Sequence, residues 1–371
     1  MKRVIAFAAF VFCILLVIFS RPAMAAAKEG LQLWWDILLP TLFPFFASAT
    51  LIERTGAMQL LANLFYPLSK RLRTSHYALP LILLGGISGY PSGARLSGML
   101  LASGAVSNEE TERLGTVCNL CSPMFIMGAV AGGMFLNTSL FWPLAISYYG
   151  GALLLGITLR FLKPIRPSPP GQAKLMPSDP FFKALPRAVG DGMVDMLKVG
   201  GTVIFFLVLA EVLTQLKVLD VLSAPLEALF INIPGDSPAK GVLLGLMEMT
   251  GGCSRIVKAG LPLLYSVPLC SFLIGFGGLS VMVQAMAFIP FEKPLRYILY
   301  KLLHGVFSGL IAFALLSLFP SAVEALSPSL APYYVVNALT GLALLFSCAL
   351  GVSTALLLAL VFGKKERRSA T

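Results

Sequence analysis

Ser88-Gly89-Tyr90-Pro91-Ser92-Gly93-Ala94-Arg95 and Met249-Thr250-Gly251-Gly252-Cys253-Ser254-Arg255 are two small-residue stretches set into apolar sequence. A single offset, 160 residues from Gly89 to Met249, also brings Leu83-Leu84-Gly85 onto Leu243-Leu244-Gly245. Glycine and proline at this density interrupt a helix. The apolar arm before the first break, from Tyr77, is roughly 12 residues, whereas a helix needs about 20 to cross a bilayer. That length suits a re-entrant segment, with Leu96 to Val106 as the returning arm. Each stretch therefore predicts the tip of a helical hairpin that enters a membrane and returns.

The surrounding composition demands a membrane. Of 371 residues, 57% are hydrophobic and only 12% charged, with a mean hydropathy of +0.85. Soluble domains carry about 25% charged residues. Leu114–Leu159, Ala259–Phe291, Gly305–Val323 and Ala325–Gly363 contain no Lys, Arg, Asp or Glu. A transmembrane barrel would show short alternating segments, so the fold class is all-α. The net charge of +11 sits at the ends of apolar runs, where the positive-inside rule places it. That distribution argues against a nucleic-acid partner; the lipid bilayer is the expected one.

Residues 1–27 hold Lys2, Arg3 and an apolar run, Val4 to Phe19, read as a signal-anchor span, although Ala23-Met24-Ala25 also has the form of a signal-peptidase site. Residues 28–162 form a first repeat: a proline-interrupted span (Leu33 to Ile52), an amphipathic stretch (Met58 to Leu72), the hairpin, and two spans divided near Asn137. Residues 163–180 form a proline-rich, hydrophilic linker. Residues 181–320 repeat the order, with a span from Gly192 to Leu213, an amphipathic stretch, the second hairpin, a glycine-broken span (Leu261 to Ile289) and another from Leu295 to Phe319. Residues 321–371 add a final span, Tyr334 to Phe362, and a basic tail. About eight transmembrane helices and two re-entrant hairpins result. With both termini cytoplasmic, Lys and Arg fall on the inner side of nearly every loop. Three spans separate the starts of the two repeats, and an odd number inverts the second. Inverted repeats with interrupted helices are an architecture of secondary transporters.

Non-helical backbone at membrane depth must be buried in protein or line a water-filled cavity. The candidate substrate site is therefore drawn from Ser88, Gly89, Tyr90, Pro91, Ser92, Gly93 and Arg95 in one half and Thr250, Gly251, Gly252, Ser254 and Arg255 in the other. Free N–H groups at two half-helix starts attract carboxylates, and an arginine beside each tip suits a small anion. Close helix packing through small residues is the competing explanation. Asn119 and Ser122, with Pro123, interrupt one span; Ser280 and Gln284 mark the matching break. They suit either substrate hydrogen bonds or helix-to-helix bonds. Glu248 is an intramembrane carboxylate and a candidate coupling residue, or the partner of Arg255 or Arg95. Asp36 and Glu211 are weaker cavity candidates. Trp34, Trp35 and Trp142 are expected as interface anchors, and His76 and His304 at span ends. Cys118 and Cys121 lack a second pair and read as packing residues, so neither metal nor cofactor is expected. There is no nucleophile–base pair, P-loop or HExxH pattern, and no enzyme is predicted.

Ser88 to Arg95, then Glu112-Arg113-Leu114, then Asn119 with Cys121-Ser122-Pro123-Met124-Phe125-Ile126 and Gly128-Ala129-Val130, resemble the YlbJ family of sporulation integral membrane proteins, also called SpoVV. The likeness runs from Leu33 to about Phe319. The paired glycine-rich elements also resemble the Gate, or nucleoside-recognition, domain related to concentrative nucleoside transporters. The resemblance implies a secondary or facilitated transporter in the outer forespore membrane that moves dipicolinic acid, a small anionic solute that could travel with Ca2+. It is compatible with a homo-oligomer. The wider Gate likeness implies a nucleoside or nucleobase instead, and a non-transporting membrane factor for spore maturation is a third reading. Where the family often has Asn-Ser-Ser before the proline, this chain has Leu120-Cys121-Ser122.

Overall fold

A computed structural model describes residues 2–72, 74–162, 179–230, 233 and 236–319. The expected final span, the basic tail and most of the linker lie outside the described residues. Every regular element among the described residues is helical.

The first half runs α1 (Lys2–Ile18) and then α2 (Ser20–Arg54), one continuous 35-residue helix. Pro40 and Pro44 do not end it. The ladder widens to a π turn over Trp34–Leu38, and Thr41 Oγ1 donates to the Ile37 carbonyl at 2.6 Å, an accommodation of lost backbone donors inside a helix. The amphipathic α3 (Ala57–Arg71) follows. The first hairpin is α4 (Ala78–Ser88) and α5 (Ser92–Ala102). Next come α6 (Asn108–Val117), an interruption, the π-helical α7 (Phe125–Met134) and α8 (Phe141–Leu162).

The second half repeats this order. It has the long α9 (Phe181–Gln215), the amphipathic α10 (Val218–Glu227), a hairpin of α11 (Ala239–Met247) and α12 (Met249–Lys258), a span broken at Gly277 into α13 (Leu263–Phe276) and α14 (Gly278–Met286), and α15 (Pro294–Leu318). The two hairpins lie where the small-residue stretches place them.

The repeat is inverted. Along the contact between α2 and α9, Arg54 meets Asp191, Ala47 meets Gly192, Trp34 meets Met196 and Gly200, and Gly30 meets Ile204 and Leu207. Numbers fall on one helix as they rise on the other. The equivalent long helices are therefore antiparallel neighbours, as a pseudo-two-fold axis in the membrane plane requires.

Five stretches among the described residues are long and apolar enough to cross a membrane: Ser20–Arg54, Thr138–Leu162, Phe181–Gln215, Leu263–Met286 and Pro294–Leu318. The span expected to be interrupted at Asn119, Ser122 and Pro123 is two short helices, the first ending at Val117 and the second starting at Phe125. Pro123 and the lack of a continuous backbone ladder divide it. Large apolar side chains cover the outside, such as Leu153 and Phe161 on α8 and Leu197 and Phe205 on α9, a surface suited to lipid.

Trp34 departs from its expected place. Trp35 and Trp142 are exposed, as interface anchors would be, but Trp34 is buried and its Nε1 donates to the Met196 carbonyl at 2.9 Å. Gly200 makes room for it, since a Cβ there would lie 2.6 Å from the indole.

Candidate functional site

Each half contributes the same three parts to one narrow cleft: its long helix, its hairpin tip and its helix break. From the first half come Leu38 and Leu42 of α2, Gly89 and Tyr90 of the tip, and Cys121, Ser122 and Phe125 at the break. From the second come Val199 and Val203 of α9, Glu248, Met249 and Thr250 of the tip, and Ser280, Val281 and Gln284 of α14. The interior admits water-sized molecules, so a larger solute requires the tips to part.

The first tip is shaped by glycine. Gly89 has φ +83°, a conformation that disfavours any side chain, and its N–H closes α4 on the Gly85 carbonyl. Gly85 and Gly93 bring the two arms together against the 118–119 backbone: a Cβ on Gly85 would lie 3.1 Å from Gly93 Cα, and one on Gly93 would lie 2.6 Å from Asn119 Cα. Gly245 and Gly252 do the same in the second hairpin, and Gly251 packs on Leu207. Gly93, Gly251 and Gly252 are thus packing positions, because backbone fills the space beside Gly93 and Gly252 and the Leu207 side chain fills that beside Gly251.

Glu248 sits at the second tip, buried and non-helical, with φ −143° and ψ 112°. Its carboxylate accepts from the N–H groups of Thr250, at 3.1 Å, and Gly251, at 2.6 Å. It is the N-cap of α12, and the helix start expected to receive a substrate anion already holds this carboxylate. Ser122 does the equivalent at the first break, where its Oγ accepts from the Phe125 N–H at 3.1 Å. Ser280 Oγ is buried in the cleft wall without a hydrogen-bond partner.

The two arginines do not face each other across the cleft. Arg95 points away from it, between Glu53 of α2 at 3.1 Å and Asp195 of α9 at 3.4 Å, with Thr50 Oγ1 at 2.7 Å. Two carboxylates take its charge. Arg255 is exposed one turn beyond the tip. Helical periodicity turns both side chains off the cleft face once the tip residues occupy it. Of the other predicted residues, Ser88, Pro91, Ser92 and Ser254 do not line the cleft, while Gly89, Tyr90, Ser122, Thr250, Gln284 and Glu248 do. Asp36 is exposed, and Glu211 bonds Gln215 on its own helix. Asn119 is a tie: its Oδ1 accepts from the Ala94 N–H and its Nδ2 donates to the Tyr297 hydroxyl, each at 3.3 Å.

Behind Tyr90 lies a buried polar cluster that sequence reading missed. Lys301 is 0% exposed on α15, and its Nζ lies 3.3 Å from each of the Tyr90 hydroxyl, the Asn119 carbonyl and His304 Nδ1. His304, expected at a span end, is buried within α15, its Nε2 donating to the Tyr148 carbonyl at 3.1 Å. Tyr90 and Tyr148 share a hydrogen bond at 3.0 Å. The signal was present: a lysine followed by a histidine three residues later, both inside an apolar span.

The chain is 30% identical over 326 residues to the sporulation integral membrane protein YlbJ of Bacillus subtilis (strain 168), covering 80% of this chain and 79% of that protein. It belongs to the YlbJ family. No family model matches it, and neither does any solved structure. Membership of an integral membrane family and five membrane-length helices make this YlbJ relative a multi-pass membrane protein.

Proposed function

We propose that this YlbJ-family protein is a secondary or facilitated transporter of a small carboxylate, dipicolinate foremost, acting in the outer forespore membrane during sporulation. The observation that carries the reading is the cleft itself. It is bounded by the same elements from two inverted halves, with both helix interruptions turned into it. Alternating access by rocking one half against the other needs that arrangement. The YlbJ relative's description as a sporulation integral membrane protein supports a membrane role in sporulation. Hydroxyls of Ser122, Thr250 and Ser280 with the Gln284 amide offer donors to carboxylate oxygens.

One observation favours a second reading, a nucleoside or nucleobase. Among the described residues, Glu248 is the only carboxyl on the cleft wall, and both arginines lie outside it. A neutral solute would meet no unpaired cation there.

Uptake into proteoliposomes separates the two. The purified chain should take up dipicolinate saturably, with uridine as control solute. Uridine uptake without dipicolinate uptake would replace the first reading with the second. No uptake of either solute by folded protein under any ion gradient would leave the non-transporting factor.

A further inference from the structure

The Lys301 cluster lies directly behind the cleft and has no part in the reading above. Three acceptors surround Nζ at equal distances: the Tyr90 hydroxyl, the Asn119 carbonyl and His304 Nδ1. A carbonyl only accepts, so His304 Nε2 carries the hydrogen it donates to Tyr148, and the neutral ring turns its Nδ1 lone pair to Lys301. Three neutral acceptors match the three N–H bonds of an ammonium. The same site also accommodates an amine. The Tyr90 O–H donates to the Ile274 carbonyl at 3.2 Å, and a rotation of that one hydroxyl would direct it to Nζ instead.

Among the described residues, no carboxylate balances Lys301. The titratable groups around it are Tyr90 from the first tip, Tyr148 from α8, Cys121 from the break, and Tyr297 and His304 from its own helix. Glu248 lines the cleft from the second tip, its carboxylate held by the Thr250 and Gly251 N–H groups. An ammonium sealed from water without an anion is costly. Two events remove that cost: loss of the proton, or arrival of a negative charge nearby. Tyr90 is the contact between the two places, since it lines the cleft and bonds Lys301, whose Nζ also lies 5.1 Å from its ring centre.

We propose that Lys301 is a proton-coupling site: it takes up one proton as an anionic solute enters the cleft, with Tyr90 as the positioning residue between them. The inference rests on the anion reading above and names its coupling ion. The amine and a proton from water become the ammonium, and its charge offsets one carboxylate of the solute. By linkage, each ligand strengthens binding of the other. Proton uptake means that anion affinity falls as pH rises.

The test is calorimetric titration of the purified full chain with dipicolinate, in buffers of different ionisation enthalpy, between about pH 6 and pH 9, where carboxylates stay ionised. The buffer dependence should report uptake of about one proton per anion, with affinity falling at most about tenfold per pH unit. Lys301→Met, shown folded by its melting curve, should lose the buffer dependence and bind at least about tenfold more weakly. Tyr90→Phe should lower the proton count per anion bound, and an unchanged count would remove Tyr90 from the positioning role. Dipicolinate binding by the unaltered chain with no proton uptake would overturn the coupling inference and leave the transporter reading standing. No dipicolinate binding at all would overturn the anion reading, and the inference with it. The first measurement needs no variant, so a misfolded Lys301→Met cannot leave the matter open.

Discussion

Gly93→Ala tests whether the first hairpin is held by backbone contact. The added methyl would lie 2.6 Å from Asn119 Cα, where ordinary contact starts at 3.4 Å, so backbone must move by close to an ångström. The 118–119 segment has little freedom to give way. Asn119 is bonded to the Ala94 N–H and Tyr297, its carbonyl accepts from Lys301, and the Cys118 N–H is bonded to the Leu114 carbonyl. Overpacking against a yielding side chain costs about 1–3 kcal/mol; against fixed backbone the upper figure applies. A loss of about 3 kcal/mol should lower the melting temperature in detergent by roughly 5–10 °C. Gly190→Ala is the matched control: it lies within α9 with nothing inside 4 Å of the new Cβ, and removing a helical glycine should stabilise by about 0.5–1 kcal/mol. Thermal unfolding followed by tryptophan fluorescence reads both. Equal melting temperatures for the two variants, each at normal yield, would refute the reasoning.

Glu248→Ala strips the cap from α12 and should cost about 1–2 kcal/mol, with Glu248→Gln losing less, as read from melting curves. Arg95→Met leaves Glu53 and Asp195 without their shared cation and should cost about 3–5 kcal/mol; adding Glu53→Gln and Asp195→Asn should recover most of it, and no recovery would mean that packing dominates there. Arg255→Gln, on an exposed side chain, should change neither melting temperature nor solute uptake, and a clear loss of uptake would return Arg255 to the site. Gly200→Ala should displace Trp34 from its bond to Met196, at a cost of about 1–3 kcal/mol, with a red-shifted tryptophan emission as the signature; an unshifted spectrum would argue against burial of Trp34.

The hairpins, the long helices and the two-fold repetition were legible in the sequence because each depends on local chemistry. Gly89 and Pro91 break a helix wherever it sits, and a charge-free run of membrane length has one stable form. The segment from Leu114 to Asn137 was harder. Asn119, Ser122 and Pro123 mark its interruption, but only packing of the 118–119 backbone against Gly85 and Gly93 shows that the interruption meets the first hairpin. Glu248 was identifiable as intramembrane, but not as a cap, because the turn that brings its carboxylate to the Thr250 and Gly251 N–H groups depends on backbone angles at a single residue.

By itself, then, the sequence determined an all-helical membrane protein in two inverted halves with paired interruptions, since periodicity, hydropathy and glycine act over a few residues. Which charges meet was decided only by tertiary structure. Arg95 finds Glu53 and Asp195 on two distant helices, while Lys301 is left among hydroxyl, carbonyl and imidazole acceptors behind Tyr90. Coulomb interactions at low dielectric are set by distances of a few ångströms between residues far apart in the chain, and no local pattern encodes those distances.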